Sequence, residues 1–330
     1  MAIAVAAVAR LVTGFLPSIV AEVSVALLLG IVVASAAGPR LRRFDPGLRF
    51  ASQRVLRLGI ILLGARLSLA EIAQIGLPAI GLIVVTMAIS FAIVLLASRV
   101  VRVDGRLAVL IAVGSAVCGN TAIVATAPVI GARAREVAYA VATITLFGTL
   151  AVFLYPAIGR AIALPQPQFG LWAGVAVHDT SQVIATSSTY GSGALDVATV
   201  VKLIRNALMA PLLLVIAAVW AACAEDAEDA GDLARRGIRR AFPLFVLGFL
   251  VLAALRTFGV IGLDLATTLD LVARTLILVA LAAVGMSIHL GELRETSWRP
   301  LAIGFAVALV VGLGSLVAIV TLGLGAGIGA

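Results

Sequence analysis

Uninterrupted apolar runs of the length of a bilayer crossing recur along the whole chain. A helix needs about 20 apolar residues to traverse bilayer hydrocarbon. Candidate spans fall at 2–16, 18–38, 53–74, 76–98, 107–131, 136–159, 169–190, 195–221, 241–259, 270–290 and 300–324. The runs are continuous, whereas strands of a membrane β-barrel would alternate apolar and polar residues. Of the 330 residues, 62% are hydrophobic and 12% charged. Soluble domains carry about 25% charged residues, so a soluble globule is excluded. The sequence predicts an all-α polytopic membrane protein of about 9–11 transmembrane helices, forming one transmembrane domain over residues 1–330. The stretch 2–16, interrupted by Arg10 and stopped by Pro17, reads as a short first helix and not as a leader peptide.

The formal net charge is +8. Its distribution argues against nucleic acid as a partner, because the arginines cluster in short loops between apolar runs. Lys and Arg mark cytoplasmic loops. Arg40, Arg42, Arg43, Arg49, Arg54 and Arg57 place one loop in the cytoplasm, and Arg99, Arg102 and Arg106 place a second. Arg235–Arg240, at the end of the polar loop 224–240, and Arg294–Arg299 mark two more. The loops near Ile72–Pro78, Tyr190–Ala194 and Gly259–Thr268 carry neither residue and are expected on the other side.

Shifting the chain by 60 residues aligns segment 109–141 with segment 169–201 without a gap, with ten of 33 pairs identical. Roughly three identities are expected from composition, so the segments read as an internal repeat. Each copy holds a polar interruption at its middle: Cys118-Gly119-Asn120-Thr121 in the first and His178-Asp179-Thr180-Ser181-Gln182 in the second. Non-helical backbone inside a bilayer is tolerated only where protein or a water-filled cavity satisfies it. Interrupted segments at matching positions of two halves are a pointer to a transporter binding site. Either a crossing broken helix or a re-entrant hairpin fits. Hairpins would make the two repeats inverted and would leave Arg133 and Arg135 in the cytoplasm, as the charge rule prefers.

Asn120, Thr121, Thr180 and Ser181 begin the second half of each interrupted segment, where helix N-termini present free N–H groups to an anion. Asp179 and Gln182 have capping-box spacing. Lys202 and Arg205 lie three residues apart, on one face of a membrane helix, beside Asn206. Cations at such depth face a cavity or a partner, and these two are expected either to attract an anionic substrate or to form a structural ion pair. His178 and Asp179 both titrate and are candidates for coupling to a proton. Two histidines without a carboxylate cluster give no metal site. His289 reads as a helix-end residue.

Several of these stretches resemble one family. They are Leu58-Gly-Ile-Ile-Leu-Leu-Gly64, Val117-Cys118-Gly119-Asn120-Thr121-Ala122, Glu136 to Leu150 with Tyr155-Pro156, His178-Asp179 with Gln182-Val183, and Val201-Lys202-Leu203-Ile204-Arg205. Together they resemble the YeiH-type family of proposed sulfate exporters, itself related by fold to the bile-acid symporter and cation/proton antiporter group. That resemblance implies inverted repeats with broken helices in a bacterial cytoplasmic (inner) membrane. Asn120 departs from the family's usual Cys-Gly-Ala-Ser, whereas Asp179 fits its pattern.

The function expected is secondary transport: an exporter of a small anion, sulfate or organic, alternating access around the two breaks. The alternative is an anion channel. Substrate contacts are expected from Gly119, Asn120, Thr121, Thr180, Ser181, Gln182, Lys202 and Arg205, with coupling by His178 and Asp179 to a proton or sodium ion. No cofactor, catalytic residue or nucleotide motif is expected; membrane lipid surrounds the chain, and homodimeric assembly is left open.

Overall fold

The computed structural model describes residues 1–14, 22–223, 244–287 and 297–326, which are helical with no strand among them. Loop 224–240, His289 and Arg294 lie outside the described residues. The helices are α1 Ala2–Thr13, α2 Glu22–Ala37, α3 Asp45–Phe50, α4 Leu56–Leu63, α5 Leu69–Val101, α6 Gly105–Ala116, α7 Asn120–Thr126, α8 Ala134–Ala161, α9 Gln166–Ala176, α10 Thr180–Ser188, α11 Ser192–Ala207, α12 Met209–Cys223, α13 Leu244–Thr257, α14 Leu263–Met286 and α15 Trp298–Thr321. Among the described residues, five stretches are long and apolar enough to cross a membrane: Ala79–Val101, Arg135–Ala161, Ser192–Trp220, Leu263–Met286 and Trp298–Thr321. The chain is a polytopic all-α membrane protein.

The arginine-rich segment after α2 differs from the loop expected there. It is helical almost throughout, as a 3-10 turn Gly38–Phe44, α3, a π-helical turn Ala51–Val55 and α4. The next turn falls at Leu67–Ser68 and not near Ile72–Pro78, which is inside α5. The reason is local. Ser68 Oγ accepts from the Glu71 backbone N–H at 3.2 Å, and the Glu71 carboxylate accepts from the Ser68 N–H at 2.6 Å. This capping box starts α5 ahead of its apolar run.

Two bundles result. One, the scaffold, packs α1, α2, α3, α4, α13 and α14 around one another. Its closest crossing is α2 on α14, where a Cβ at Gly30 would lie 2.5 Å from the Ala282 carbonyl oxygen. Small residues let membrane helices approach this way. The other bundle gathers α5 to α11 and α15, and among the described residues α13 touches α5, and α10 touches α2 and α14, in thin contacts between the two.

Both interrupted segments double back. In the second, Arg160 Nη2 donates to the Thr189 carbonyl at 2.5 Å, Tyr190 Oη donates to the Leu164 carbonyl at 2.5 Å, and the Phe169 and Tyr190 rings stack at 3.7 Å. The start of α9 and the end of α10 therefore sit side by side. In the first, a Cβ at Gly114 would meet Ile123 Cδ1 at 2.9 Å, so α6 and α7 lie against each other across the break. At 12 and 11 residues, α6 and α9 are about 17 Å long, too short to span. Between the hairpins runs α8, 28 residues and about 42 Å. The starts of α7 at Asn120 and α10 at Thr180 match the register of the repeat.

Candidate functional site

The two hairpin tips meet. Gly119 turns with φ +65°, and a Cβ there would lie 2.9 Å from Asp179 Oδ2. The left-handed conformation and the close approach both favour glycine. Asp179 caps α10: its Oδ1 accepts from the Ser181 backbone N–H at 2.9 Å and from Ser181 Oγ at 2.6 Å. The capping box with Gln182 does not form. Gln182 Nε2 turns to α8 instead and donates to the Thr145 carbonyl at 3.1 Å and to Thr149 Oγ1 at 3.3 Å. Asn120 Nδ2 also reaches α8, donating to Thr145 Oγ1 at 3.3 Å.

Behind the tips, α6 and α9 both end in carbonyls without helical partners, the negative ends of two helix dipoles. With no water in the surrounding hydrocarbon, those carbonyls need donors. Lys202 and Arg205, projecting from α11, supply them. Lys202 Nζ donates to Val117 O at 2.8 Å, to Val177 O at 3.1 Å and to His178 O. Arg205 Nε donates to Ala116 O at 3.1 Å. Its Nη1 donates to Gly174 O at 3.0 Å and Val175 O at 2.6 Å. Its Nη2 donates to Ser115 O at 2.9 Å and Ala116 O at 2.6 Å. Lys202 is 1% exposed and Arg205 0%, and every N–H of both heads is committed. Neither pairs with a carboxylate among the described residues. Direct contact with an anion, expected from their depth, does not fit this geometry, because both cations are consumed as caps. His178 is equally removed, 2% exposed, with Nδ1 3.2 Å from Ser115 O.

A cavity of about 290 Å³ lies in front of the tips. Asn120, Thr121, Asp179, Thr180 and Ser181 line it from the hairpins, while Gly119, Gln182, Lys202, Arg205 and His178 do not. Thr145 of α8 and Asn206 of α11 complete the polar wall; Asn206 Nδ2 lies 3.4 Å from Thr180 Oγ1. The opposite wall belongs to the scaffold: Arg49, Ser52, Gln53 and Arg57, followed by Leu56, Ile60, Phe245 and Val284. The π-helical turn Ala51–Val55 carries Ser52 and Gln53, and π-turns inside helices recur at functional sites. In the sequence, Arg49 and Arg57 mark sidedness alone. In the structure they and Asp179 are the charged residues of the lining among the described residues, two cations against one carboxylate.

Paired hairpins that meet at a polar cavity inside an assembly of apolar helices define an integral membrane protein. The family described as "Conserved hypothetical protein 698" matches residues 1–304, and the chain belongs to it. Among its relatives is the UPF0324 membrane protein FN0533 of Fusobacterium nucleatum, 31% identical over 310 residues, covering 88% of each chain. The UPF0324 inner membrane protein YeiH of Salmonella typhimurium is 33% identical over 302 residues, covering 89% of this chain and 84% of its own. YeiH of Escherichia coli K12 is 32% identical over 299 residues. The YeiH resemblance read from the sequence is thus borne out, and the chain is an integral protein of the inner membrane. No solved structure matches it.

Proposed function

We propose that the chain is a secondary transporter that moves a small anion, sulfate or a small organic anion, by alternating access around the two hairpin tips. One observation carries the reading: the cavity reaches the tips and is lined by Arg49 and Arg57, with the hydroxyl and amide groups of Thr121, Ser181 and Asn206 facing them from the other bundle. A ligand there would bridge two bundles that touch thinly, so its binding and release would be tied to their relative position. Two doubled-back segments on either side of the single crossing α8 support an inverted-repeat architecture. Asp179 faces the cavity and is the candidate coupling carboxylate for a proton or sodium ion; His178 has no access to it.

Counterflow in proteoliposomes tests the reading. Protein preloaded with unlabelled sulfate or with a small carboxylate should take up the labelled anion in a saturable, trans-stimulated burst. Flux that rises linearly with concentration and carries current would establish the channel instead.

A further inference from the structure

The seam between the bundles holds the cavity toward one end and a chain of ion pairs at the other. Arg49, Ser52 and Val284 carry the cavity lining toward the arginine-rich end of the scaffold, the cytoplasmic side by the charge rule. The opposite end holds a chain of ion pairs. Arg66 Nη2 lies 3.2 Å from Asp196 Oδ2, Arg66 Nη1 3.6 Å from Asp270 Oδ1, and Arg274 Nε 2.9 Å from Asp270 Oδ2. Arg66 ends the helical run that passes through the π-turn, 13 residues and about 20 Å beyond Gln53. The Leu69 N–H donates to Thr257 Oγ1 at 2.9 Å, which fixes the start of α5 and the end of α13 to this same end.

The membership of the chain is uneven. Arg66, Asp270 and Arg274 all ride on the scaffold, whereas Asp196 alone comes from α11 of the hairpin bundle. If α11 withdraws, Asp270 still pairs with both arginines, and only the Asp196 carboxylate exchanges its partner for water. The side chains of Arg66, Asp196 and Asp270 are 27%, 16% and 22% exposed, so the contact is shielded from salt more than a surface pair is. Asp196 also shares α11 with Lys202 and Arg205, which grip both hairpin tips, so one rigid helix connects this end of the seam to the cavity.

We propose that Arg66 and Asp196 form the outer gate of the transport cycle, an ionic latch that holds the cavity open to the cytoplasm and must break for the opposite side to open. This rests on the carrier reading above. The test uses the full chain with its two native cysteines replaced and one cysteine at position 200, a buried residue one helical turn deeper than Asp196 on the same face. A membrane-impermeant maleimide applied outside should label it slowly. Asp196→Asn and Arg66→Ala should each raise that rate at least fivefold. They should lower the labelling of Val284→Cys from the cytoplasmic side. Arg66→Lys should fall between, and Arg274→Ala, whose ion pair is with Asp270, should stay within twofold of the parent. Unchanged rates at both positions in Arg66→Ala and Asp196→Asn overturn the latch. If either variant fails to insert, cysteines at 66 and 196 joined by a short bis-maleimide decide: counterflow should stop on cross-linking, and persistence of counterflow overturns the latch while leaving the carrier intact. Absence of counterflow in the uncross-linked parent, with both labelling rates fixed, overturns the carrier reading and the latch with it.

Discussion

Two pairs of cations face the hairpin tips from opposite directions. Lys202 and Arg205 sit deepest, inside a membrane helix, and every one of their donors is spent on carbonyls at the ends of α6 and α9. Arg49 and Arg57 flank a π-turn near the membrane edge, and both line the cavity. The pair that is costliest to bury serves the fold, and the pair that looks like loop charge reaches the candidate ligand. Depth measures how much a charge must be compensated, and the compensation can be backbone rather than substrate.

Breaking the first pair should produce the largest effect. Arg205→Leu removes a buried cation and strands five bonds on four carbonyls, which should cost roughly 3–5 kcal/mol of stability. Size-exclusion and thermal unfolding in detergent should show a chain that inserts but unfolds early. Lys202→Met should do the same to a lesser degree. If either variant kept its melting temperature and lost only anion binding, the deep pair would be ligand contacts and the comparison would collapse.

Next in size is the tip itself. Gly119→Ala introduces a Cβ in a left-handed conformation and against Asp179, and should destabilise by about 1–3 kcal/mol. A melting temperature equal to the parent's would show that the tips do not meet as described. Arg49→Ala and Arg57→Ala should each weaken anion binding roughly tenfold, about 1.4 kcal/mol, and leave the ligand-free protein unchanged in stability. Titration calorimetry with sulfate or a small carboxylate measures this. Smaller again, Asp179→Asn keeps the shape of the α10 cap but removes the one carboxylate of the lining. Anion affinity should rise a few-fold in the same titration, and a fall would show that Asp179 contacts the ligand or a bound cation directly.

The membrane class and both breaks were legible in the sequence, because each is a matter of local composition: Asn120 and Thr180 start helices where polar residues interrupt apolar runs. The direction of side chains across the interior was not legible. Nothing in the spacing of Lys202 and Arg205 tells carbonyl caps from ligand contacts, since both uses require two cations on one helix face. Gln182 stood at capping-box spacing from Asp179, yet Thr145 and Thr149 of α8 bind it instead, a tertiary contact that outcompetes a local one. Arg49 and Arg57 were hidden by their own number among six arginines of one stretch. The π-turn between them, which carries Ser52 and Gln53 of the same wall, is announced by no residue pattern here. Arg66 and Asp196, 130 positions apart, carried no signal that would pair them.

The division between the two cation pairs is tested most directly by anion-dependent thermal stabilisation, measured side by side on the parent, Arg49→Ala/Arg57→Ala and Lys202→Met. The lining arginines, if they hold the ligand, should give a double variant that melts with the parent when ligand-free and gains nothing from added sulfate or small carboxylate. Lys202→Met should melt early but retain the anion-dependent rise. The reverse pattern, with the rise kept in the double arginine variant and lost in Lys202→Met, would contradict it.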